Sequence, residues 1–126
     1  GLLAIRCSSY RFATPAGWIP ADEQRYGLHG GLVETSMMLA VAPHLVRRKA
    51  LRAFPSRAAD WEAAIAGLEV EGESGIAWRA EDLNPEGATG DASAATPELG
   101  ERLLTHFAAR LARVIEAAAA LGFPPD

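Results

Sequence analysis

A histidine and a glutamate stand five positions apart at the start of an apolar segment, and their types and spacing could do chemistry. Gly30 and Gly31 follow His29, and the segment that ends in Glu34 leads into the apolar run 37–43. Imidazole and carboxylate groups transfer protons near neutral pH and bind divalent metals, and glycines let the backbone approach a small ligand closely. The pattern therefore indicates a candidate site at the beginning of a helix.

The elements that must position this pair are predicted from apolar patterning and turn-forming residues. Residues 2–10 are predicted to form a buried strand, and residues 14–31 form a long loop that carries the candidate site. Connections of this length are often functional. A helix is predicted over residues 32–42, and it stops before Pro43 because proline lacks an N–H and its ring clashes with the preceding turn.

The rest of the chain is predicted as a variable segment at 47–75, a turn region at 79–95 and a final helix at 97–121. Within the variable segment, residues 58–68 are expected to form a short helix. A strand or hairpin is expected over residues 72–78. These segments offer little chemistry of their own, so the candidate site depends mainly on the loop and helix that contain His29.

The start of the final helix is the clearest structural signal in the sequence. Thr96 is a good N-cap, Pro97 suits the first helical position, and Glu98 favours the positive end of the helix dipole. Apolar side chains then recur about every 3.6 residues, at Leu99, Leu103, Phe107, Leu111, Val114 and Ile115. The pattern predicts an amphipathic helix that Gly122 ends.

Charge and cysteine content exclude several classes of protein. The formal net charge is −4 and the pI is near 5.4, which argues against a nucleic-acid partner. The basic cluster at residues 47–49 is interpreted as a solvated surface feature. Cys7 is the single cysteine of the sequence, so an internal disulfide framework is excluded and a cytoplasmic location is expected. No apolar run approaches the ~20 residues that cross a bilayer, so no membrane partner is expected.

Two blocks of the sequence carry a resemblance to a known family. Residues 29–36, His-Gly-Gly-Leu-Val-Glu-Thr-Ser, resemble the His-(Ala/Gly)-Gly-x-x-Glu-Thr-Ser signature of the creatininase (creatinine amidohydrolase) family, and the Pro-His-Leu-Val at 43–46 resembles the end of the helix that follows it. Residues 78–96 are similar to the Gly-x-x-Gly-Asp-x-x-x-Ala-Thr region before the family's last helix. Two blocks in the family's order, about fifty residues apart, rarely arise by chance.

The resemblance covers the C-terminal half of the family's domain and implies an α/β fold. The chain would be part of a three-layer αβα architecture with a mostly parallel sheet, and it would be incomplete on its own. The family's Glu-x-His and Asn-Gly-His motifs, which supply most metal ligands, do not occur in this sequence. The chain is therefore expected to be a fragment of a longer protein or to rely on a partner chain for the missing half.

The resemblance also implies roles for individual residues. His29 matches the histidine that lies by the substrate and transfers protons. Glu34 is expected to bind a metal or orient its water, with a first-turn glutamate stabilised by the helix dipole as the alternative. Gly30 and Gly31 are expected to contact substrate. Creatinine-cleaving members have Trp-Asp where this chain has Arg25-Tyr26. This argues against creatinine and favours a substrate with a carboxylate or phosphate, held by Arg25 and Tyr26.

Two functions follow from these inferences. The first is part of a metal-dependent amidohydrolase, in which zinc or manganese is held mostly by residues absent from this chain. There, metal-activated water cleaves an amide or cyclic amide while His29 moves a proton. The second is a non-catalytic fragment or subunit that completes a partner's fold. The complete enzyme is expected to take a small-molecule substrate and to be a homo-oligomer, whereas the isolated chain is expected to be inactive.

Overall fold

The computed structural model describes residues 3–121, which combine helices with one very small sheet. The helices are α1 (Ala21–Tyr26), α2 (Leu32–Val41), α3 (Ala58–Ala64), α4 (Ala80–Leu83) and α5 (Pro97–Ala120). The sheet pairs β1 (Ala53–Phe54) with β2 (Gly90–Asp91) in antiparallel register, with Ala53 opposite Asp91 and Phe54 opposite Gly90. The described residues are thus mixed helix and strand, which is compatible with the predicted α/β class.

Helices α2 and α5 form the main helix pair, and a glycine lets them approach closely. A Cβ at Gly100 would collide with the backbone carbonyl of Ser36 and come within 3.0 Å of the Ala40 Cβ. Ser36 is fully buried, and its Oγ accepts a hydrogen bond from the Thr96 N–H at 3.2 Å. The core beside this contact contains Ile19, Leu32 and Leu103, covered by Trp18, Val33, Met37, Ala95, Leu99 and Phe107.

The prediction of a loop over 14–31 was wrong in part, because Ala21–Tyr26 form α1. A second small core lies under the part of this segment that follows α1. Its buried members are Leu28, Ala58, Val70 and Leu83, and the partly buried Tyr26, Trp61 and Trp78 pack against it. This core joins the loop before α2 to α3 and α4. The loop that carries His29 is therefore packed between two apolar clusters, which limits its freedom to move.

The predicted helices at 32–42 and 97–121 agree with α2 and α5 to within one residue at each end. The Thr96 Oγ1 caps α5 by accepting the Leu99 N–H at 3.1 Å, and Pro97 occupies its first turn, as predicted. The predicted stop at Gly122 lies outside the described residues. The apolar face of α5 is buried only near its start. At 1.5 Å per residue, α5 is about 36 Å long, whereas α2 is about 15 Å long and cannot cover it.

The predicted strand at 2–10 does not form in the described part of this segment. Residues 3–8 have no regular structure, and Ser9–Arg11 form a single 3₁₀ turn. A strand requires a neighbouring strand to satisfy its N–H and C=O groups, and none lies beside this segment among residues 3–121. The three-layer arrangement with a mostly parallel sheet is likewise not seen there, because the two strands are short and antiparallel.

The middle of the chain is also less regular than predicted. The helix expected at 58–68 ends at Ala64, and Gly67 then adopts φ +82°, a left-handed conformation that interrupts a helix. Residues 72–78 form bends and irregular backbone rather than a strand or hairpin. The turn after α4 does form, with the Gly87 N–H donating to the Asn84 carbonyl at 2.9 Å. The basic cluster at 47–49 is exposed, as predicted.

Within the described range, the structure contains no helix both long and apolar enough to cross a membrane.

Candidate functional site

The backbone at His29 is held by a buried threonine from a distant part of the chain. The Oγ1 of Thr89 accepts the N–H groups of Leu28 and His29 at 3.0 and 3.1 Å. The Thr89 N–H in turn donates to the His29 carbonyl at 2.7 Å, forming an antiparallel bridge. Thr89 is fully buried, whereas His29 is exposed. The structure therefore fixes the main chain of His29 and leaves its imidazole accessible.

The two glycines after His29 turn the chain into α2. Gly30 has φ +69°, which glycine adopts far more easily than other residues. Gly31 is the buried N-cap of α2, and a Cβ there would come within 2.8 Å of the Thr89 carbonyl oxygen. The Thr35 Oγ1 donates to the Gly30 carbonyl at 3.2 Å and closes the turn. Both glycines thus have a backbone role, and their contact with substrate stays a prediction.

Glu34 lies in the first turn of α2 and carries a polar atom without a partner. Its side chain is half-buried, and its Oε2 is fully buried without a hydrogen bond from the described residues. An unsatisfied buried acceptor costs about 1–3 kcal/mol, and a cation at this oxygen would remove that cost. The position also has the favourable dipole interaction of the alternative interpretation. The oxygen fits one ligand position of a divalent metal.

The described residues do not by themselves form a complete metal site. Among residues 3–121, no group of three or more His, Cys, Asp or Glu side chains is arranged to hold a metal ion. Glu34 could supply one carboxylate, and a full coordination sphere needs further donors. That most ligands are absent from the sequence stays a prediction.

Glu34 faces a cavity of about 540 Å³ with mixed walls. It is lined by apolar side chains from α2 and α5, by acidic side chains from the variable segment, and by Tyr10. Partial burial, together with the charges of Glu71 and Glu34, raises the pKa of Tyr10. His29 does not line this cavity. The structure therefore keeps His29 and Glu34 on one short turn but does not place both side chains in the same cavity.

Arg25 and Tyr26, predicted to bind substrate, both contact Glu62. The Arg25 Nε and Nη2 donate to Glu62 Oε2 at 2.9 and 2.7 Å, and the Tyr26 hydroxyl donates to the same oxygen at 3.2 Å. The Val70 N–H donates to Glu62 Oε1 at 3.0 Å. The Arg25 side chain lines the cavity and stays 55% exposed, so it is reachable. An anionic substrate would have to compete with Glu62 for the guanidinium.

These contacts shift the pKa values of all three groups. The hydrogen bond from the Val70 backbone, followed by those from Arg25 and Tyr26, lowers the pKa of Glu62. The same carboxylate raises the pKa of Arg25. Desolvation, and then the hydrogen bond to Glu62, raises the pKa of Tyr26. Glu62 is therefore ionised at neutral pH, and the trio is a charge-assisted cluster on one wall of the cavity.

Sequence reasoning missed two residues that build this site, Thr89 and Glu23. Glu23 accepts the Leu32 N–H at 2.6 Å through Oε1 and the Asp91 N–H at 2.7 Å through Oε2. The positions that these contacts join are 9 to 68 residues apart, so no local pattern reveals them. The one available signal for Thr89 was its place inside the second family-like block, within the Gly-rich segment before Asp91.

Comparison with known proteins supports the resemblance stated from the motifs. The family model for creatininase, described as creatinine amidohydrolase, matches residues 2–115 of the 126-residue chain. No curated protein and no solved structure matches the chain. The matched range contains the whole turn from Arg25 to Glu34 together with Glu23 and Thr89.

Proposed function

The chain belongs to the creatininase family, and from that premise we propose that it forms part of a metal-dependent amidohydrolase. The observation that carries the proposal is the Glu34 carboxylate, whose buried Oε2 has no hydrogen-bond partner among the described residues. A family of this kind needs carboxylate ligands, and an unsatisfied buried oxygen beside a cavity fits that need. The reaction proposed is hydrolysis of an amide or cyclic amide bond.

Glu34 would hold or orient one side of the metal centre from the first turn of α2. A zinc or manganese ion, when bound, supplies a polarised water and a Lewis acid for the substrate carbonyl. The backbone of α2 fixes the Glu34 Cα, so the carboxylate can be aimed with little loss of entropy. The remaining ligands are proposed to come from residues absent from this sequence, on the same chain or on a partner.

His29 is proposed to carry protons between the attacking water and the leaving nitrogen. Two hydrogen bonds with Thr89 hold its main chain, a third holds that of Leu28, and its imidazole is exposed to an incoming substrate. Imidazole is the side chain most often used for proton transfer near neutral pH. In this proposal the ring meets the metal centre when the rest of the family domain is in place.

The proposed substrate is an anionic amide rather than creatinine. Arg25 is half-exposed, lines the cavity and presents a guanidinium that can bind a carboxylate with two hydrogen bonds. Tyr26 lies beside it, 5.5 Å from the ring centroid to the guanidinium carbon. Gly30 and Gly31 leave the backbone of the turn close to the site. We further propose that the complete enzyme is a cytoplasmic homo-oligomer.

A second candidate function is favoured by one specific observation. Two large apolar side chains are exposed on the far half of α5, Leu111 at 42% and Ile115 at 60%. Such side chains are usually covered in a finished domain. A chain that only completes the fold of a partner would use this face and would need neither His29 nor Glu34.

The test uses the full-length protein loaded with Zn²⁺ or Mn²⁺, and matched substrates with and without a carboxylate. Pyroglutamate and 2-pyrrolidinone differ by that group, and creatinine is the third probe. Bound metal is measured, together with release of primary amine from the two lactams and formation of creatine from creatinine. Glu34→Gln should lower bound metal and abolish hydrolysis, because an amide oxygen is a weaker ligand than a carboxylate. Glu98→Gln is the control, since Glu98 occupies the first turn of α5 and is exposed.

The result expected is metal-dependent hydrolysis of pyroglutamate above that of 2-pyrrolidinone, with negligible turnover of creatinine. Chelation should remove the activity. A full-length protein that binds metal normally after Glu34→Gln would contradict the metal role of Glu34. A protein that hydrolyses none of the amides, with or without metal, would favour the non-catalytic function.

A further inference from the structure

The start of α2 has no cap of its own and takes one from another helix. Its N-cap residue is Gly31, which has no side chain to satisfy the first N–H groups of the helix. The Glu23 carboxylate, from α1, fills this place through Oε1, which accepts the Leu32 N–H at 2.6 Å. A carboxylate at this end also interacts favourably with the helix dipole. The helix that carries Glu34 is therefore capped from nine residues upstream.

The second oxygen of the same carboxylate holds a different element. Glu23 Oε2 accepts the Asp91 N–H of β2 at 2.7 Å. Asp91 lies two positions after Thr89, the residue that fixes the main chain of His29. A single half-buried side chain thus connects the strand beside His29 with the helix that begins just before Glu34.

Three glycines form a close-fitting cradle around this carboxylate. A Cβ at Gly27 would lie 2.5 Å from Glu23 Oε1, and a Cβ at Gly31 or Gly90 would collide with the same carboxylate. Gly90 has φ +110°, which other residues rarely adopt. The glycines come from the end of α1, the start of α2 and the start of β2. The sequence thus leaves space for this one carboxylate where three elements meet.

We propose that Glu23 is a positioning residue that fixes the turn of His29 relative to the helix of Glu34. The inference rests on the proposed function, in which those two side chains act on one substrate. Both Glu23 oxygens are engaged by backbone N–H groups, so the side chain acts through geometry rather than on the reacting atoms. Gln cannot replace it, since one end of the amide is an NH₂ group that would face a backbone donor.

The test compares Glu23→Gln with Asp82→Asn in the full-length, metal-loaded protein. Asp82 is a matched control because its carboxylate also accepts a backbone N–H at a helix start, from Arg79 at 2.9 Å, and it does not line the cavity. Amide hydrogen exchange, the ring signals of His29 in NMR spectra, and kcat and KM for pyroglutamate are measured. All measurements are made well below the unfolding midpoint of each variant.

For Glu23→Gln we expect the Leu32 and Asp91 amides to exchange about tenfold faster or more, since each loses a charge-assisted hydrogen bond. The His29 ring signals should shift and broaden. The value of kcat should fall at least about tenfold with KM changed much less, because misplacement of reacting groups affects the transition state most. Asp82→Asn should change none of the three readouts. Should Glu23→Gln fail to fold, Glu23→Asp keeps the charge but is one methylene too short, and the same three changes are expected.

Unchanged exchange at Leu32 and Asp91, or unchanged His29 ring signals, would overturn the inference. So would a kcat, per folded and metal-loaded molecule, equal to that of the parent protein. If the parent protein hydrolyses no amide, the exchange rates and the His29 signals still decide whether Glu23 positions the turn. In that case the proposed function is contradicted, and the exchange rates and the His29 signals test the positioning role separately.

Discussion

The site turn and the far half of α5 are stabilised in opposite ways. The turn at residues 27–34 is held by Thr89 and Glu23 through short hydrogen bonds across the chain. Among residues 3–121, no hydrogen bond of this kind holds the far half of α5, and Leu111 and Ile115 are exposed there. Polar groups with fixed partners therefore define the candidate site. The long helix instead depends on local sequence signals and on the packing of its first two turns against α2.

A large effect on stability is expected within α5, where the buried start of the helix is compared with its exposed far half. Leu103 is fully buried against α2, whereas Ile115 is 60% exposed. Leu103→Ala should lower the free energy of unfolding by about 2–5 kcal/mol through lost burial and a cavity. Ile115→Ala should change it by less than about 0.5 kcal/mol. Urea unfolding of the full-length variants measures both. A large loss for Ile115→Ala would show that this face is covered in the complete protein.

Removal of the Thr89 hydroxyl tests whether polar contacts hold the site turn. Thr89→Val keeps the shape but leaves the N–H groups of Leu28 and His29 without an acceptor. The expected loss is about 2–6 kcal/mol, because two donors lose their acceptor and each unsatisfied buried donor costs about 1–3 kcal/mol. Thr105→Val, at an exposed position on α5, is the control. Equal unfolding midpoints for Thr89→Val and the parent protein would mean that the turn is held by packing instead.

A smaller effect is expected on acidification. The pKa of Glu62 is lowered in the folded protein, first by the Val70 N–H and then by Arg25 and Tyr26. The unfolded state therefore binds more protons between the folded pKa and the ordinary value of 4.5, so stability rises with pH in that window. Stability should fall as the pH drops below about 4.5, and Glu62→Gln should flatten this dependence. If the unfolding temperature depends on pH with the same slope in Glu62→Gln and in the parent protein from pH 5 to pH 3, this prediction is contradicted.

The sequence was informative where structure is determined locally. Thr96 and Pro97 mark the start of α5, and Pro43 lies just beyond the end of α2, because caps and proline act over a few residues. The segment at 3–10 could not be placed in this way, since a strand depends on a neighbour that local patterns do not specify. Its apolar residues favoured burial, but Leu3, Ile5 and Tyr10 are exposed, so the prediction of a buried strand was wrong.

The candidate site was only partly visible in the sequence for the same physical reason. The His29 to Glu34 pattern identified the turn, and both glycines proved necessary to its backbone. Glu23 and Thr89 act across as many as 68 positions, so no spacing rule could find them. Arg25 was recognised as a cation, but its pairing with Glu62 depends on how α3 packs, which propensity does not determine.

The most direct test of the central claim is to remove the imidazole of His29 in the full-length, metal-loaded protein. His29→Ala should lower kcat for amide hydrolysis by about a hundredfold or more, the usual size of a proton-transfer contribution. Bound metal and the unfolding midpoint should stay unchanged, because the Thr89 hydrogen bonds use only the His29 backbone. Near-normal turnover in His29→Ala would contradict the account.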